Sequence, residues 1–163
     1  MKVNMDNECE KAFLEVERKF EVKKDVNLKY LEDSAVEILK IYQGYFIDED
    51  GKYKHIRLQK SKIDGKEKSV VCEKIHVGSY NDVPLLKEIE DEHSYEYGVN
   101  LINAKNVSCI EKTRYVLPIG DYVMEVDKFE NLTDEFKDWV AAEVEFKNET
   151  ELLNFNKVKL PDF

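Results

Sequence analysis

The sequence predicts an α+β chain built around one large antiparallel sheet or barrel. Three observations carry this reading: apolar and polar residues alternate with period 2 through most of the chain, turn signals cut it into short runs, and few segments keep a helical period. Strands are expected at 12–22, 41–47, 53–61, 68–77, 86–92, 107–117, 122–130 and 140–147. Asp48-Glu49-Asp50-Gly51, Asp64-Gly65 and Pro118-Ile119-Gly120-Asp121 read as hairpin turns, because Gly and Asp tolerate positive φ. Three short helices fit around the strands. Ser34 with Glu37 reads as a capping box ahead of Ile38 and Leu39. Ser94 is placed to cap a helix running towards Ala104, and Asn148 with Glu151 one that carries Leu152, Leu153 and Phe155.

At 163 residues the chain fits a single domain, 1–163, with enough length for a real core. No repeat, low-complexity tract or linker divides it. Apolar residues make up 42%, with eight Phe and nine Tyr, which excludes a disordered acidic chain. The net charge of −10 argues against a duplex nucleic-acid binder, since phosphate affinity needs an outer basic surface. The start, Met1 to Glu8, is polar and acidic, unlike a signal peptide, and the longest apolar run, Trp139-Val140-Ala141-Ala142, does not approach a membrane span. Cys9, Cys72 and Cys109 are odd in number and widely spaced, matching neither a disulfide framework nor a zinc site, and each reads as a small buried or half-buried apolar residue. The expected compartment is the cytoplasm, with no membrane partner.

Residues i and i+2 of a strand share a face. Glu15, Glu17 and Lys19 align in this way, as do His55, Arg57 and Gln59, then Cys72 and Lys74, and Glu88, Glu90 and Glu92. Further along, Lys112 pairs with Arg114, Glu125 with Asp127, and Glu143 with Glu145. One reading is an antiparallel sheet with a single wet face. The sorting of signs favours another, because a solvated face usually mixes them. Two carboxylates at i and i+2 lie about 6.7 Å apart and repel by roughly 2.5 kcal/mol at an effective dielectric near 20. On a concave wall they need an opposing cation. Carboxylates without His or Cys are hard ligands suited to Mg²⁺, Mn²⁺ or Ca²⁺, and clustered Lys and Arg beside them suit a polyphosphate. No Gly-rich phosphate loop is present.

The run Glu15-Val16-Glu17-Arg18-Lys19 reads E-x-E-x-K and resembles the hallmark of the CYTH superfamily, the triphosphate tunnel metalloenzymes. Gln43-Gly44-Tyr45, Lys112-Thr113-Arg114-Tyr115, Glu125-Val126-Asp127-Lys128-Phe129 and Ala142-Glu143-Val144-Glu145-Phe146 resemble four further motifs in the family's order, so the resemblance covers about residues 12 to 147. Within the family the chain looks like the short bacterial inorganic triphosphatases. That resemblance implies an eight-stranded antiparallel barrel, a tunnel with a few flanking helices. It also implies that Lys19, Arg57, Lys74, Lys112 and Arg114 grip a triphosphate. Glu15, Glu17, Asp127, Glu143 and Glu145 would hold one or two Mg²⁺ or Mn²⁺ ions, with Glu88 and Glu90 as additions. Catalysis would fall to Lys112 with Tyr45, and to Glu15 or Glu17 as base.

Some residues keep plainer readings. Tyr45 taken alone is a packing residue, Phe129 and Tyr115 are core, and the run Lys87 to Glu92 fits a solvated edge. His55, His76 and His93 read as surface or incidental. The chain departs from the family pattern at Gln59, where a second arginine is usual, at Cys72 in place of Thr, and at Leu86-Lys87 where Arg is common. It also ends at Phe163, where related chains often continue. The implied activity is hydrolysis of inorganic triphosphate. Thiamine triphosphatase, adenylate cyclase and a non-enzymatic polyphosphate or nucleotide module are the alternatives, and a homodimer stays open.

Overall fold

The computed structural model describes residues 2–4, 10–22, 25–80, 83–146, 149–155 and 160; for 2–4, 10–18, 80, 83–84, 149 and 152 it describes the backbone alone. Among the described residues nine strands and three α-helices follow in the order β1 (Lys2–Asn4), β2 (Glu10–Glu21), α1 (Leu28–Ser34), β3 (Glu37–Ile47), β4 (Tyr53–Ser61), β5 (Glu67–Tyr80), β6 (Val83–His93), α2 (Tyr95–Lys105), β7 (Cys109–Ile119), β8 (Tyr122–Phe129), β9 (Val140–Phe146) and α3 (Glu149–Phe155). All pairings are antiparallel. Strands β2-β6-β5-β4-β3-β7-β8-β9 form one curled sheet, and β9 returns to β2. Strand β2 makes this closure by dividing its length: residues 10–16 pair with β6 and residues 16–21 with β9. The eight expected strands are all present, and β1 adds a short ninth against residues 11–13 of β2.

Alternation explains why the ring is hollow and charged inside yet has its main core outside. On β7, β8 and β9, Tyr115, Leu117, Met124, Val126, Val140, Ala142, Val144 and Phe146 face outward, where Leu31 of α1 and Phe155 of α3 complete a buried cluster. Rings of Phe20, Tyr122, Phe146 and Phe155 meet at centroid distances of 5.2 to 6.1 Å. The opposite wall is covered by α2, whose N-cap is Ser94 accepting from Tyr97 N at 3.1 Å. Gly98 lets α2 lie close, since a Cβ there would stand 2.4 Å from both Leu58 Cδ2 and Ser69 Cβ. The glycine of Gln43-Gly44-Tyr45 serves the same purpose: its Cβ would meet Val107 Cγ1 at 2.3 Å.

The turns form as expected, with Gly51, Gly65 and Gly120 at positive φ. One helix differs. Ser34 does not open a helix into Ile38 and Leu39; it ends α1, which Asn27 caps by accepting from Tyr30 N at 3.1 Å. Residues 37–44 pair with β7, so cross-strand pairing overrides the local capping signal. The earlier helix is hard to read because Leu31 is its one buried anchor. The helix at the end is present as α3, while its expected cap, Asn148, lies outside the described residues, as does Cys9. Among the described residues no helix is long and apolar enough to cross a membrane.

Candidate active site

The hollow of the ring is a cavity of about 1140 Å³, lined by residues from seven of the inner strand faces together with Lys19 of β2. It gathers Arg57, Lys74, Lys112, Arg114, Glu88, Glu90, Asp127, Glu143, Glu145 and Tyr45, all expected from the sequence, and adds Glu125 and His55. The side chains of Glu15 and Glu17 lie outside the described residues. Backbone register sets Glu17 opposite Glu145 and Lys19 opposite Glu143, so β2 shares its inner face with the acidic wall.

Charge is sorted around the ring. Strands β4 and β5 contribute Arg57 and Lys74, and β7 contributes Lys112 and Arg114; β8 and β9 contribute one bank of carboxylates, and β6 a second with Glu88, Glu90 and Glu92. The β7 cations and the β8–β9 bank are joined at Asp127. Lys112 Nζ donates to its Oδ2 at 2.8 Å, Arg114 Nε to Oδ1 at 2.8 Å and Arg114 Nη2 to Oδ2 at 2.9 Å. Burial pushes the Asp127 carboxyl up, but the Arg114 hydrogen bonds and the charges of Arg114 and Lys112 outweigh this and hold it below its usual range. Burial also lowers Lys112, against the pull of Asp127, while Arg114 stays firmly protonated because Asp127, Glu125 and Glu143 outweigh its own burial.

Asp127, expected as a metal ligand, accepts from Lys112 and Arg114 on both of its oxygens, which holds the two cations in place. Glu125, read as aligned with Asp127 but not assigned a role, stands instead beside Glu143 and Glu145, with one oxygen of each within 4.8 Å of the others. Arg114 Nη1 comes to 2.9 Å of Glu125 Oε2 but off the hydrogen-bond line, leaving that buried oxygen with no hydrogen-bond donor. Burial, together with Glu143 and Asp127, raises the Glu125 carboxyl despite Arg114. Three hard oxygen donors, one of them a buried acceptor without a donor, fit a divalent ion of the Mg²⁺ or Mn²⁺ kind.

Glu88 and Glu90 stand opposite the β4–β5 cations. Lys74 Nζ is 3.7 Å from Glu88 Oε2, and Arg57 Nη2 is 3.8 Å from Glu90 Oε1. Strand β6 is therefore no solvated edge: it lies between β2 and β5, and Glu88 is buried. Gln59 accepts from Arg57 Nε at 3.1 Å and so steadies that guanidinium. Cys72 is fully buried between His55 and Glu90 in register, and burial lifts its thiol to about 12.

Several plainer expectations are corrected. Tyr45 is 65% exposed at the cavity wall and so is not a packing residue; its ring lies 5.7 Å from that of His55. It is not drawn to Lys112, which lies opposite Ile41, four residues back along β3. Phe129 is half-buried and lines the cavity beneath Lys112 Nζ, 5.7 Å from its ring centre, whereas Tyr115 is core. His93 is paired rather than incidental, 2.8 Å from Asp91 and stacked on Tyr97 at 3.8 Å, while His76 is exposed. His55 is the largest miss, being buried inside the cavity. The signal was available: it shares the alternating face of Arg57, and that face turned inward.

Burial, then the charges of Arg57, Lys74, Lys112 and Arg114, lower the His55 imidazole to about 3 from its ordinary 6.5. Folded His55 stays neutral where the unfolded chain takes up a proton. Stability from this source is therefore complete above pH 6.5 and falls by about 1.4 kcal/mol per pH unit on acidification through the window down to about 3. His55→Asn should remove this slope. Urea unfolding at pH 6.5 and pH 4.5 checks it: the wild type should lose about 2–3 kcal/mol more than the variant between the two, and parallel losses would refute the assignment.

No family model matches the chain, and no curated protein does. Solved structures share its fold. A Pyrococcus horikoshii protein aligns over 88% of this chain and 84% of its own at TM-score 0.56 and 15% identity. A candidate adenylate cyclase from Bacillus halodurans aligns over 93% and 95% at TM-score 0.54 and 12% identity. A chain of the Schizosaccharomyces pombe Mediator head module aligns over 89% and 92% at TM-score 0.54 and 8% identity. Such likeness shows the fold alone, and proteins of unlike description carry it.

Proposed function

We propose that the protein is a metal-dependent triphosphatase that hydrolyses inorganic triphosphate to diphosphate and phosphate inside the ring. The observation that carries this is the pairing of two features in one cavity: cations on β4, β5 and β7, and three clustered carboxylates on β8 and β9 with Glu125 Oε2 buried and lacking a hydrogen-bond donor. A pure anion binder gains nothing from that acidic cluster, and a plain structural domain gains nothing from either.

Phosphoryl transfer depends on alignment and charge neutralisation more than on covalent chemistry by the protein. Arg57, Lys74, Lys112 and Arg114, with Lys19, bind the phosphate oxygens. Asp127 keeps Lys112 and Arg114 pointing at them. Glu125, Glu143 and Glu145 hold the divalent ion, with Glu17 across from Glu145 and Glu15 further along the same face. When bound, the ion supplies charge neutralisation and a water of lowered pKa. Glu15 or Glu17 accepts the proton of the attacking water as the bond from the terminal phosphorus to its bridging oxygen breaks and diphosphate leaves. Tyr45, away from Lys112, belongs to the wall rather than to a Tyr–Lys pair.

The test is phosphate release from inorganic triphosphate, ATP and thiamine triphosphate, each with Mg²⁺, Mn²⁺ or EDTA. Release from inorganic triphosphate that needs the ion is expected. Unchanged release in EDTA refutes the mechanism, and binding without turnover under every condition turns the reading to a polyphosphate or nucleotide module. A cyclic nucleotide formed from ATP turns it to a cyclase, the description carried by the Bacillus halodurans protein of the same fold.

A further inference from the structure

The wall formed by β4, β5 and β6 holds donors that triphosphate binding does not use. Cys72 Sγ and one carboxylate oxygen each of Glu88 and Glu90 all lie within 4.8 Å of one another. Cys72 is fully buried and Glu88 is 4% exposed, yet all three residues line the hollow. Register extends the group to a fourth residue: His55 on β4 stands opposite Cys72, and Cys72 opposite Glu90. Directly opposed residues keep their Cβ atoms about 4.5–5.5 Å apart. One row across three strands therefore offers an imidazole nitrogen, a thiol sulfur and a carboxylate oxygen, with Glu88 beside it.

A thiol among carboxylates means little without a further sign of a ligand, and His55 supplies one. It lines the hollow at 7% exposure, and among the described residues neither of its ring nitrogens makes a hydrogen bond. Buried polar groups nearly always have a partner. A neutral imidazole has one N–H and one lone pair; an anion in the hollow can take the N–H, but the lone pair needs a donor or a metal ion. Lys74 and Arg57 stand 3.7 and 3.8 Å from Glu88 and Glu90. With the thiol deprotonated, three negative donors face these two cations, so the wall still draws positive charge. The donor types select the ion: Mg²⁺ and Ca²⁺ keep to oxygen, whereas Zn²⁺ accepts thiolate, imidazole and carboxylate around four positions.

We propose that Cys72, His55, Glu88 and Glu90 form a second metal site, for a divalent ion of the Zn²⁺ kind. Binding breaks the Cys72 S–H bond, its proton passing to solvent, and forms the bond from sulfur to metal. Strands β5 and β8 are four places apart whichever way the ring is followed, so this site lies across the hollow from the cluster of Glu125, Glu143 and Glu145 and does not depend on it. Cysteine spacing along the chain does not reveal the site, because one donor of the four is a cysteine and the four sit on three strands.

The test is titration of the metal-free full chain with Co²⁺, whose bond to a thiolate gives a charge-transfer absorption, followed by displacement with Zn²⁺. The band should appear in the wild type, vanish as Zn²⁺ is added, be absent from Cys72→Ala and persist in Glu125→Gln. The Zn²⁺ affinity read from that displacement should fall about tenfold or more in His55→Asn. A wild type without the band overturns the site whether or not any variant folds. So does a band that survives Cys72→Ala or is lost in Glu125→Gln, and an unchanged Zn²⁺ affinity in His55→Asn overturns the four-donor assignment.

Discussion

Asp127→Asn should be the most destabilising single change in the cavity wall, lowering stability by about 3–5 kcal/mol and Tm by roughly 6–20 °C. Asp127 accepts three hydrogen bonds from two cations that are themselves 7% and 8% exposed. Removing its charge sets Lys112 and Arg114 against each other in the cavity wall, with Glu125 and Glu143 left beside Arg114 at 2.9 and 3.9 Å. The cost comes from leaving buried charge without its main partner more than from losing an attraction. Two controls follow. Inorganic triphosphate, an anion for the same two groups, should raise the Tm of the variant more than that of the wild type. Adding Arg114→Met to Asp127→Asn should cost less than the two single changes together, since the stranded charge goes with it. Differential scanning calorimetry decides; a fall of less than 2 °C would mean that the three bonds contribute little.

The same wall shows what could be read from the sequence. Strand alternation is a local property, so the inner faces of β4 to β9 were legible residue by residue, and Arg57, Lys74, Lys112, Arg114, Glu143 and Glu145 all arrive in one cavity. Which carboxylate meets which cation is not local. It depends on register between strands that are distant in sequence and on how far each side chain reaches. Asp127 lies directly opposite Arg114 in register and accepts hydrogen bonds from it; Glu125 lies opposite Glu143, with Arg114 Nη1 at 2.9 Å but no hydrogen-bond donor on its buried oxygen. Two residues of one motif thus meet different neighbours, and only the pairing separates them. His55 was misjudged for a related reason: its partners are cations on β5 and β7 as well as on its own strand. The false cap at Ser34 has the opposite origin, a sound local signal overruled by β3–β7 pairing.

Glu125→Gln should separate catalysis from stability more cleanly than any other change. Without metal, Glu125 is an unfavourable charge: its carboxyl is raised by burial and by Glu143 and Asp127, and one buried oxygen has no donor. A carboxyl whose folded pKa is raised weakens the fold above its unfolded pKa, and protonation relieves it as pH falls. At pH 7 the neutral amide should therefore leave metal-free Tm unchanged or raise it. Arg114 loses little, because Asp127 still holds it through two hydrogen bonds. With metal the order reverses. An ion present at a hundredfold over its Kd stabilises the wild type by about 2.7 kcal/mol, which is about 5–11 °C in Tm. The variant, with one of three oxygen donors made neutral, should lose most of that shift and at least a hundredfold in phosphate release. Thermal melts with and without Mn²⁺ read the metal independently of turnover. If Glu125→Gln keeps the full Mn²⁺ shift, the ion sits elsewhere, and the division of labour between Glu125 and Asp127 is wrong even where the protein still hydrolyses triphosphate.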